Sequence, residues 1–283
     1  MSIGQEIDCD RRHSAKLEEF FLSRSPLKTE GTRALLVAAH PDDETIGAGV
    51  LLRRRNNCRV VHVTDGSPLN PGDAIAAGCP DREAYAAARR EEAVKAMATA
   101  GIPANAITSL QFTDQRVAFH LEELTRVIAG IIDQTTPEIV LTHAYEGGHP
   151  DHDSVAFACH MAYRMRSPEK AFTLCEFTGY HMGNGAMEVA RFLDGGAEGQ
   201  CTYRLSPEEQ DFKIRMIEKF TTQARTLQPF LHPEVEIFRT APRYDFTSAP
   251  HAGKLWYENF NWGMDGVTWR EMASQTLKEF SHP

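Results

Sequence analysis

The sequence lacks Cys-x-x-Cys pairs, long apolar runs and an excess of basic residues. Its six cysteines are scattered, a pattern that favours reduced thiols over disulfides and offers no zinc–thiolate site. No apolar run reaches the roughly 18 residues that cross a bilayer. The first 20 residues lack the apolar core of a signal peptide. We therefore expect a cytoplasmic protein without a membrane span.

The charge balance bears on the class of partner. The chain of 283 residues has 30 basic and 39 acidic side chains, a net charge of −9. A nucleic acid would meet average repulsion at such a surface, so we expect a small-molecule partner and no nucleic acid. Composition leaves a homo-oligomer open.

Apolar runs that predict buried strands alternate with segments of helical periodicity along the first 180 residues. This rhythm is typical of βαβ units with a parallel sheet and right-handed crossovers. We therefore predict an α/β fold, a Rossmann-like three-layer sandwich with a mostly parallel sheet. The predicted strands are 34–39, 59–64, 107–112, 138–143 and 171–178, and the predicted helices are 14–22, 45–55, 81–100, 120–134 and 151–165.

The remaining chain is less regular. A stretch rich in Gly, Pro and Asp predicts a long loop over 65–80. Residues 206–222 predict a helix and 234–240 a strand. The aromatic segment 255–269 predicts a packed element, with a sugar-stacking surface as the alternative. Without a clear linker, we expect one domain over 1–283. Its core covers about 30–180, and a C-terminal elaboration covers about 181–283.

The first chemically rich motif, His-Pro-Asp-Asp-Glu at residues 40–44, directly follows the first predicted strand. Ligands of open parallel sheets bind beyond the carboxyl ends of the strands. Imidazole nitrogens and carboxylate oxygens are suitable ligands for Zn²⁺. Because adjacent side chains diverge, one of Asp42 and Asp43 can bind a metal while the other faces substrate.

The second motif, His-Pro-Asp-His at residues 149–152, follows the strand that ends at His143. Proline favours the first helical position, so His149 is predicted to cap a helix that carries His152 in its first turn. Two histidines and one aspartate would leave an open position for water, as in catalytic zinc sites. The predicted fold brings both motifs to one crevice.

Each motif alone has a structural alternative. The acids of residues 40–44 suit a helix N-terminus, and an isolated His-x-x-His is a weak signal. Gly47-Ala48-Gly49 superficially suggests nucleotide binding, but it lacks the G-x-G-x-x-G spacing and lies inside a predicted helix. The pairing of the two motifs at strand-to-helix junctions favours a metal site over these alternatives.

The segments AAHPDDETIGAGVLL and GGHPDHDSVAFA resemble the LmbE-like, PIG-L-type family of zinc-dependent N-deacetylases. The resemblance runs from about residue 33 to 180. It implies a hydrolase that removes the N-acetyl group from an amino sugar of the N-acetylglucosamine type, or from its glycoconjugate. It also implies that His40, Asp43 and His152 bind zinc and that Asp42 is the general base.

The resemblance further implies that His149 protonates the leaving amine or steadies the oxyanion, with Asp151 modulating its orientation and basicity. Arg89 and Asp114 are implied contacts of the sugar hydroxyls. Ligation by two histidines and one aspartate tolerates several divalent ions, so Fe²⁺ is an alternative to Zn²⁺. Other functions remain open: an amidase acting on another acyl amide, such as a thiol conjugate, or a non-catalytic sugar- or nucleotide-binding module.

Overall fold

A computed structural model describes residues 15–24, 32–167, 170–193 and 199–281. Its centre is a seven-stranded sheet with the strand order β3-β2-β1-β4-β5-β9-β8. The first five strands in this order are parallel, whereas β9 and β8 pair antiparallel at one edge. Strands β6 and β7 form a separate antiparallel pair. The predicted α/β class with a mostly parallel sheet is confirmed.

The bounds of the elements are as follows. The strands are β1 (Ala34–Ala38), β2 (Arg59–Pro68), β3 (Ile107–Asp114), β4 (Ile139–His143), β5 (Thr173–Phe177), β6 (Tyr180–Gly183), β7 (Ala186–Val189), β8 (Gln200–Arg204) and β9 (Val235–Thr240). The helices are α1 (residues 15–22), α2 (Asp43–Arg54), α3 (Gly72–Ala76), α4 (Arg82–Thr99), α5 (Leu121–Thr135), α6 (Pro150–Arg164), α7 (Pro207–Ile217) and α8 (Gly266–Ser281). No helix in the described ranges is long and apolar enough to span a membrane.

Strand β1 shows why the sheet is covered on both faces. Leu36 and Ala38 belong to an apolar cluster shared with α1, α2, α4 and α7. Leu35 and Val37 belong to a second cluster shared with α5 and α6. Because successive side chains of a strand point to opposite faces, a continuous apolar run requires a helical layer on each side.

The strand order determines where a ligand can bind. From β1, the chain builds towards β2 and β3 on one side, and towards β4 and β5 on the other. The carboxyl ends of β1 and β4 are therefore neighbours at the point where the order reverses, which is where open α/β sheets bind ligands. Residues 40–44 follow β1 and residues 149–152 follow β4. The expected convergence of the two motifs is confirmed.

The long loop predicted over 65–80 is only partly correct. Strand β2 continues to Pro68, which pairs with Asp114 of β3 through two register shifts, and α3 occupies Gly72–Ala76. Gly66 has a φ of 64°, a conformation that glycine adopts without steric cost. The Gly/Pro composition that predicted a loop instead marks an irregular strand and a short helix.

Helix α2 is interrupted where the sequence places its glycines. Ala48 has non-helical dihedral angles, and the backbone N–H groups of Val50 and Leu51 donate to the buried carboxylate of Glu236 at 2.8 and 2.9 Å. A Cβ on Gly47 would lie 2.2 Å from Phe177 Cδ2. The glycines thus permit close packing within a helix and do not form a phosphate-binding turn.

The C-terminal helix α8 is attached to the core by Trp269. This side chain is fully buried in an apolar cluster with residues of α6. Its Nε1 donates to Pro150 O at 3.1 Å and to Ser154 Oγ at 3.0 Å. Trp269 therefore supports the first turn of the helix that carries the second motif.

We expect Trp269→Ala to lower the free energy of unfolding by about 3–5 kcal/mol, because it leaves a cavity and removes the hydrogen bonds of the indole N–H. Chemical denaturation followed by circular dichroism measures this loss. Trp269→Phe, which keeps most of the apolar volume, serves as a milder control. A loss below about 1 kcal/mol for the alanine variant would contradict the anchoring role.

Candidate active site

The loop after β1 separates the side chains of its two aspartates. His40 N donates to Asp43 Oδ2 at 2.7 Å, which turns Asp43 towards His40. Asp42 has a φ of 151°, a strained conformation for a residue with a side chain, and its N–H donates to Glu44 Oε2 at 3.1 Å. Asp42 instead points to Arg89, whose Nη2 donates to its Oδ2 at 2.9 Å. The two carboxylates therefore have different partners, as the sequence predicts.

The second motif forms the start of α6. His149 is the N-cap residue, and its Nδ1 accepts a hydrogen bond from Asp151 N at 3.1 Å. Pro150 occupies the first helical position. His152 follows in the first turn, and the cap assignment made from the sequence is confirmed.

His40, Asp43 and His152 form a compact group of ligand atoms. His40 Nδ1 lies 3.1 Å from Asp43 Oδ2 and 3.3 Å from His152 Nε2, and His152 Nε2 lies 3.1 Å from Asp43 Oδ1. Nitrogen and oxygen ligands at about 2.0–2.1 Å from a tetrahedrally bound ion lie about 3.3 Å from each other. All three residues are less than a tenth exposed. The donor set and its spacing fit a divalent metal ion.

Two carboxylates hold the ring of His40 in position. Its Nε2 lies 3.1 Å from Asp114 Oδ1 and 3.3 Å from Asp151 Oδ2, which leaves Nδ1 facing Asp43 and His152. Such carboxylate–imidazole pairs fix the tautomer and orientation of metal-binding histidines. The carboxylate of Asp151 also accepts from Gln115 N at 2.6 Å. Asp151 thus orients His40 through its carboxylate and touches His149 only through its backbone N–H.

The charges of the group follow from its burial and its neighbours. Burial alone would lower the pKa of His40, but Asp114 and Asp43 outweigh it and raise this pKa well above its ordinary value. Burial opposes ionisation of Asp43, yet His152, His143 and His40 hold its pKa well below the usual range. Burial, with His40 and His152, lowers the pKa of His149 well below its ordinary value. Because its Nδ1 is an acceptor, the neutral ring carries its proton on Nε2.

Arg89 and Asp42 form a buried pair beside these residues. Arg89 Nη1 donates to Gly66 O at 2.7 Å, and its Nη2 donates to Pro41 O at 3.0 Å as well as to Asp42. Burial raises the pKa of Asp42 to about 8, and Arg89 opposes this rise. Arg89 therefore positions Asp42, and its contact with a sugar hydroxyl stays a prediction.

Two residues near the ligand group carry little signal in the sequence. His143 Nε2 accepts from Ala39 N at 2.9 Å and lies 3.4 Å from Asp43 Oδ2, and its ring stacks on His152 at 4.1 Å. In the sequence, only the position of His143 at the end of a predicted strand indicates a contact with the metal ligands. Tyr180 of β6 lies edge-on to His152 at 5.2 Å, and no motif marks it.

A cleft of about 380 Å³ opens over the ligand group. Asp42, Asp114 and His149 line it, together with aromatic side chains from the C-terminal segment. The aromatic residues predicted over 255–269 divide into two sets. Tyr257 and Trp269 are buried in the core, whereas the cleft is lined by Trp256, Phe260 and Trp262.

Gly148 brings the loop before His149 against β6. A Cβ there would lie 1.9 Å from the backbone oxygen of Tyr180, so Gly148→Ala requires the two segments to move apart. We expect it to reduce both the free energy of unfolding and the metal affinity, measured by denaturation and by metal titration. Gly130→Ala on α5 is the matched control, because its Cβ meets open space. It should stabilise the protein by about 0.5–1 kcal/mol. A Gly148→Ala variant with unchanged metal affinity would contradict this role.

Comparison with protein families matches residues 35–163 to PIG-L, described as GlcNAc-PI de-N-acetylase. The chain contains a PIG-L family domain. The matched residues include both motifs and the strands β1 to β4. The family resemblance drawn from the two motifs is confirmed, whereas the C-terminal elaboration lies outside the matched residues.

Solved structures share the fold of the PIG-L domain and much of the remaining chain. The zinc-inhibited form of a teicoplanin deacetylase is 20% identical over 76% of this chain and 99% of that one, with a TM-score of 0.56. N,N′-diacetylchitobiose deacetylase from Pyrococcus horikoshii is 16% identical over 86% and 94%, with a TM-score of 0.56. A 4-carboxy-2-hydroxymuconate hydratase from Pseudomonas putida is 17% identical over 76% and 98%, with a TM-score of 0.53. No curated protein matches the chain in sequence.

Proposed function

We propose that this protein is a metal-dependent amidohydrolase that removes the N-acetyl group from an amino sugar of the N-acetylglucosamine type or from its conjugate. One observation carries the proposal. Within a PIG-L domain, His40 Nδ1 and His152 Nε2 lie 3.3 Å apart, and each lies 3.1 Å from a different carboxylate oxygen of Asp43. Asp42 lines the cleft above them. The family supports the deacetylase activity predicted from the sequence.

The proposed metal is zinc, held by His40 Nδ1, Asp43 and His152 Nε2. Two imidazoles and a carboxylate suit Zn²⁺ and leave an open position, and they also accept Fe²⁺. When bound, the ion lowers the pKa of water and polarises the amide carbonyl.

Asp42 is proposed as the general base. Its carboxylate accepts a hydrogen bond from Arg89 and is not one of the proposed metal ligands. It can therefore accept the proton of the attacking water. Burial raises its pKa to about 8, which increases its strength as a base, while a divalent cation nearby lowers this value. The same group can return the proton to the leaving nitrogen, which makes the amine a better leaving group.

His149 is proposed to stabilise the negative charge that develops on the amide oxygen. Its pKa is lowered, and its Nδ1 accepts from Asp151 N, so its Nε2–H remains as a neutral donor in a residue that lines the cleft. Fixed donors of this kind stabilise oxyanions. Of the two roles that the resemblance implies for His149, the lowered pKa favours stabilisation of the oxyanion over protonation of the leaving amine. Asp151 is then a positioning residue for His40.

The polar part of the cleft suits the sugar hydroxyls. Asp114 lines the cleft, and although burial opposes its ionisation, His40, His149 and Arg89 lower its pKa. A permanently charged carboxylate accepts hydrogen bonds from hydroxyl groups. We therefore retain Asp114 as a proposed contact of the substrate, with a small-molecule amino sugar or glycoconjugate as the partner.

An assay of acetate and amine release over a panel of N-acetylated sugars tests the proposal. We expect both products in equal amounts, abolished by a chelator and restored by Zn²⁺. Release of a larger acid from a thiol conjugate would favour the amidase alternative. Because a hydratase shares the fold, the panel includes an unsaturated carboxylic acid. Turnover of that compound alone would contradict deacetylation.

A further inference from the structure

Three aromatic side chains, Trp256, Phe260 and Trp262, line one side of the cleft, and we refer to them as the aromatic wall. The ring of Trp262 lies 4.7 Å from that of His149. Phe260 stacks on Trp262 at 4.5 Å, and Trp256 meets Phe260 edge-on at 5.8 Å. The aromatic wall therefore begins at Trp262, beside His149, and continues through Phe260 to Trp256.

Other apolar side chains also line the cleft. They include Tyr180, Met187 and Phe230, and the rings of Tyr180 and Phe230 lie 6.1 Å apart. The segment before Phe230 is secured to α4 by the carboxylate of Glu92, which accepts from Thr221 Oγ1 at 2.6 Å and from Thr222 N at 2.9 Å. The apolar lining of the cleft thus comes from the C-terminal segment and from residues 180–230.

The aromatic wall is attached to the second motif. Trp256 N donates to Gly147 O at 2.9 Å, two residues before His149. Glu258 ties the segment together, since its Oε2 accepts from Leu255 N at 2.9 Å and its Oε1 accepts from Gly266 N at 2.9 Å. The position of the wall relative to the reaction centre is therefore defined by hydrogen bonds.

Core packing accounts for only one member of the wall, Trp262, which packs against the apolar cluster that contains Trp269. Phe260 remains 41% exposed, and Trp256 is only partly buried. A large aromatic side chain that stays exposed at the mouth of a cleft forgoes the stabilisation that its burial would provide. Folding stability alone therefore does not explain its position. Apolar surface rimmed by polar groups marks a ligand-binding groove.

From these observations we propose that the substrate carries an apolar aglycone, and that Phe260 and Trp256 bind it. The inference rests on the proposed function. A pyranose ring is about as large as one aromatic ring, so Trp262, next to His149, is sufficient for the sugar. The other two rings, those of Phe260 and Trp256, then face the aglycone, which is attached to the anomeric carbon next to the amine-bearing carbon. An aryl group and an alkyl chain both have the apolar surface that this part of the cleft requires.

The test compares kcat/KM for the methyl, phenyl and octyl glycosides of N-acetylglucosamine. We expect the better of the phenyl and octyl compounds to exceed the methyl glycoside by at least about 10-fold, the effect of burying some 50–60 Å² of apolar surface. Phe260→Ala and Trp256→Ala should each reduce this ratio several-fold, because each removes one of the rings that contact the aglycone. Tyr163→Ala, an exposed aromatic residue that lines a different pocket, should leave the ratio unchanged.

The outcomes separate this inference from the proposed function. A preference for phenyl over octyl identifies an aryl aglycone, and the reverse identifies a chain. Equal values for all three glycosides would overturn the inference while leaving deacetylation intact. If no sugar is deacetylated, a saturable shift of tryptophan emission on titration with octyl β-glucoside, which has no amide, decides. A shift that Phe260→Ala weakens supports the apolar subsite, and absence of any shift overturns it.

Discussion

Replacement of Asp43 by asparagine should abolish both metal binding and activity. Its carboxylate lies 3.1 Å from His40 Nδ1 and 3.1 Å from His152 Nε2, and it is the anionic member of the proposed ligand set. An amide removes that charge and is a poor zinc ligand. We expect metal affinity to fall by more than about 100-fold, beyond the effect of losing an outer hydrogen bond. Acetate release should fall to the background rate.

Metal content per chain, measured by mass spectrometry after dialysis against a weak chelator, checks this result. Asp133→Asn provides a matched control, because this carboxylate is about half exposed on α5, outside the cleft. The control should retain one metal ion per chain and the parental activity. An Asp43→Asn protein that retains a full equivalent of metal would show that the ion is bound elsewhere.

Replacement of Asp42 by asparagine should reduce activity without releasing the metal ion. Asp42 lies next to Asp43 in sequence, yet its Oδ2 accepts from Arg89 and it is not a member of the ligand group. The amide cannot accept the proton of the attacking water. We expect kcat to fall by about 10²–10⁴-fold, the usual contribution of a general base, while metal content stays at one ion per chain.

The pH dependence of the Asp42 variant gives an independent readout. In the parent protein, activity should decline towards acid pH because protonation of Asp42 removes the base. That limb lies below pH 8, since the pKa of about 8 set by burial is lowered by a bound cation. The residual activity of Asp42→Asn should lack this limb. A full acid limb in the variant would assign the base to another residue.

The sheet and the convergence of the motifs were predictable because they depend on local patterns. The apolar runs over 34–39 and 138–143 predict buried parallel strands, and these correspond to β1 and β4. Neighbouring strand ends then bring the two motifs together. The stretch 65–80 was not predictable in the same way, because the pairing of β2 with β3 through register shifts is a tertiary effect.

The site was predictable in composition but not in its hydrogen bonds. The residue types and spacings of 40–44 and 149–152 indicate metal ligands, and the three proposed ligands lie together. The partner of the Asp151 carboxylate proved to be His40 instead of His149. That choice depends on the direction of a side chain at a helix N-terminus, which a sequence pattern does not encode.

The aromatic residues illustrate the same distinction. The sequence identifies a cluster over 255–269 but does not separate Trp269, which is fully buried, from Phe260, which is 41% exposed. Their environments depend on how α8 packs against α6, more than a hundred residues earlier in the chain. Similarly, the family resemblance implies that Arg89 contacts the substrate, which stays a prediction. The hydrogen bonds of its guanidinium to Asp42 and to two carbonyl oxygens were not predictable from the sequence.

The most direct measurement is an anomalous difference map at the zinc edge, from crystals of the protein grown with Zn²⁺. The expected result is a single strong peak about 2.0–2.2 Å from His40 Nδ1, a carboxylate oxygen of Asp43 and His152 Nε2, with an open position facing the cleft. A peak coordinated by other residues, or none at this edge of the sheet in a protein that still releases acetate, would contradict the account.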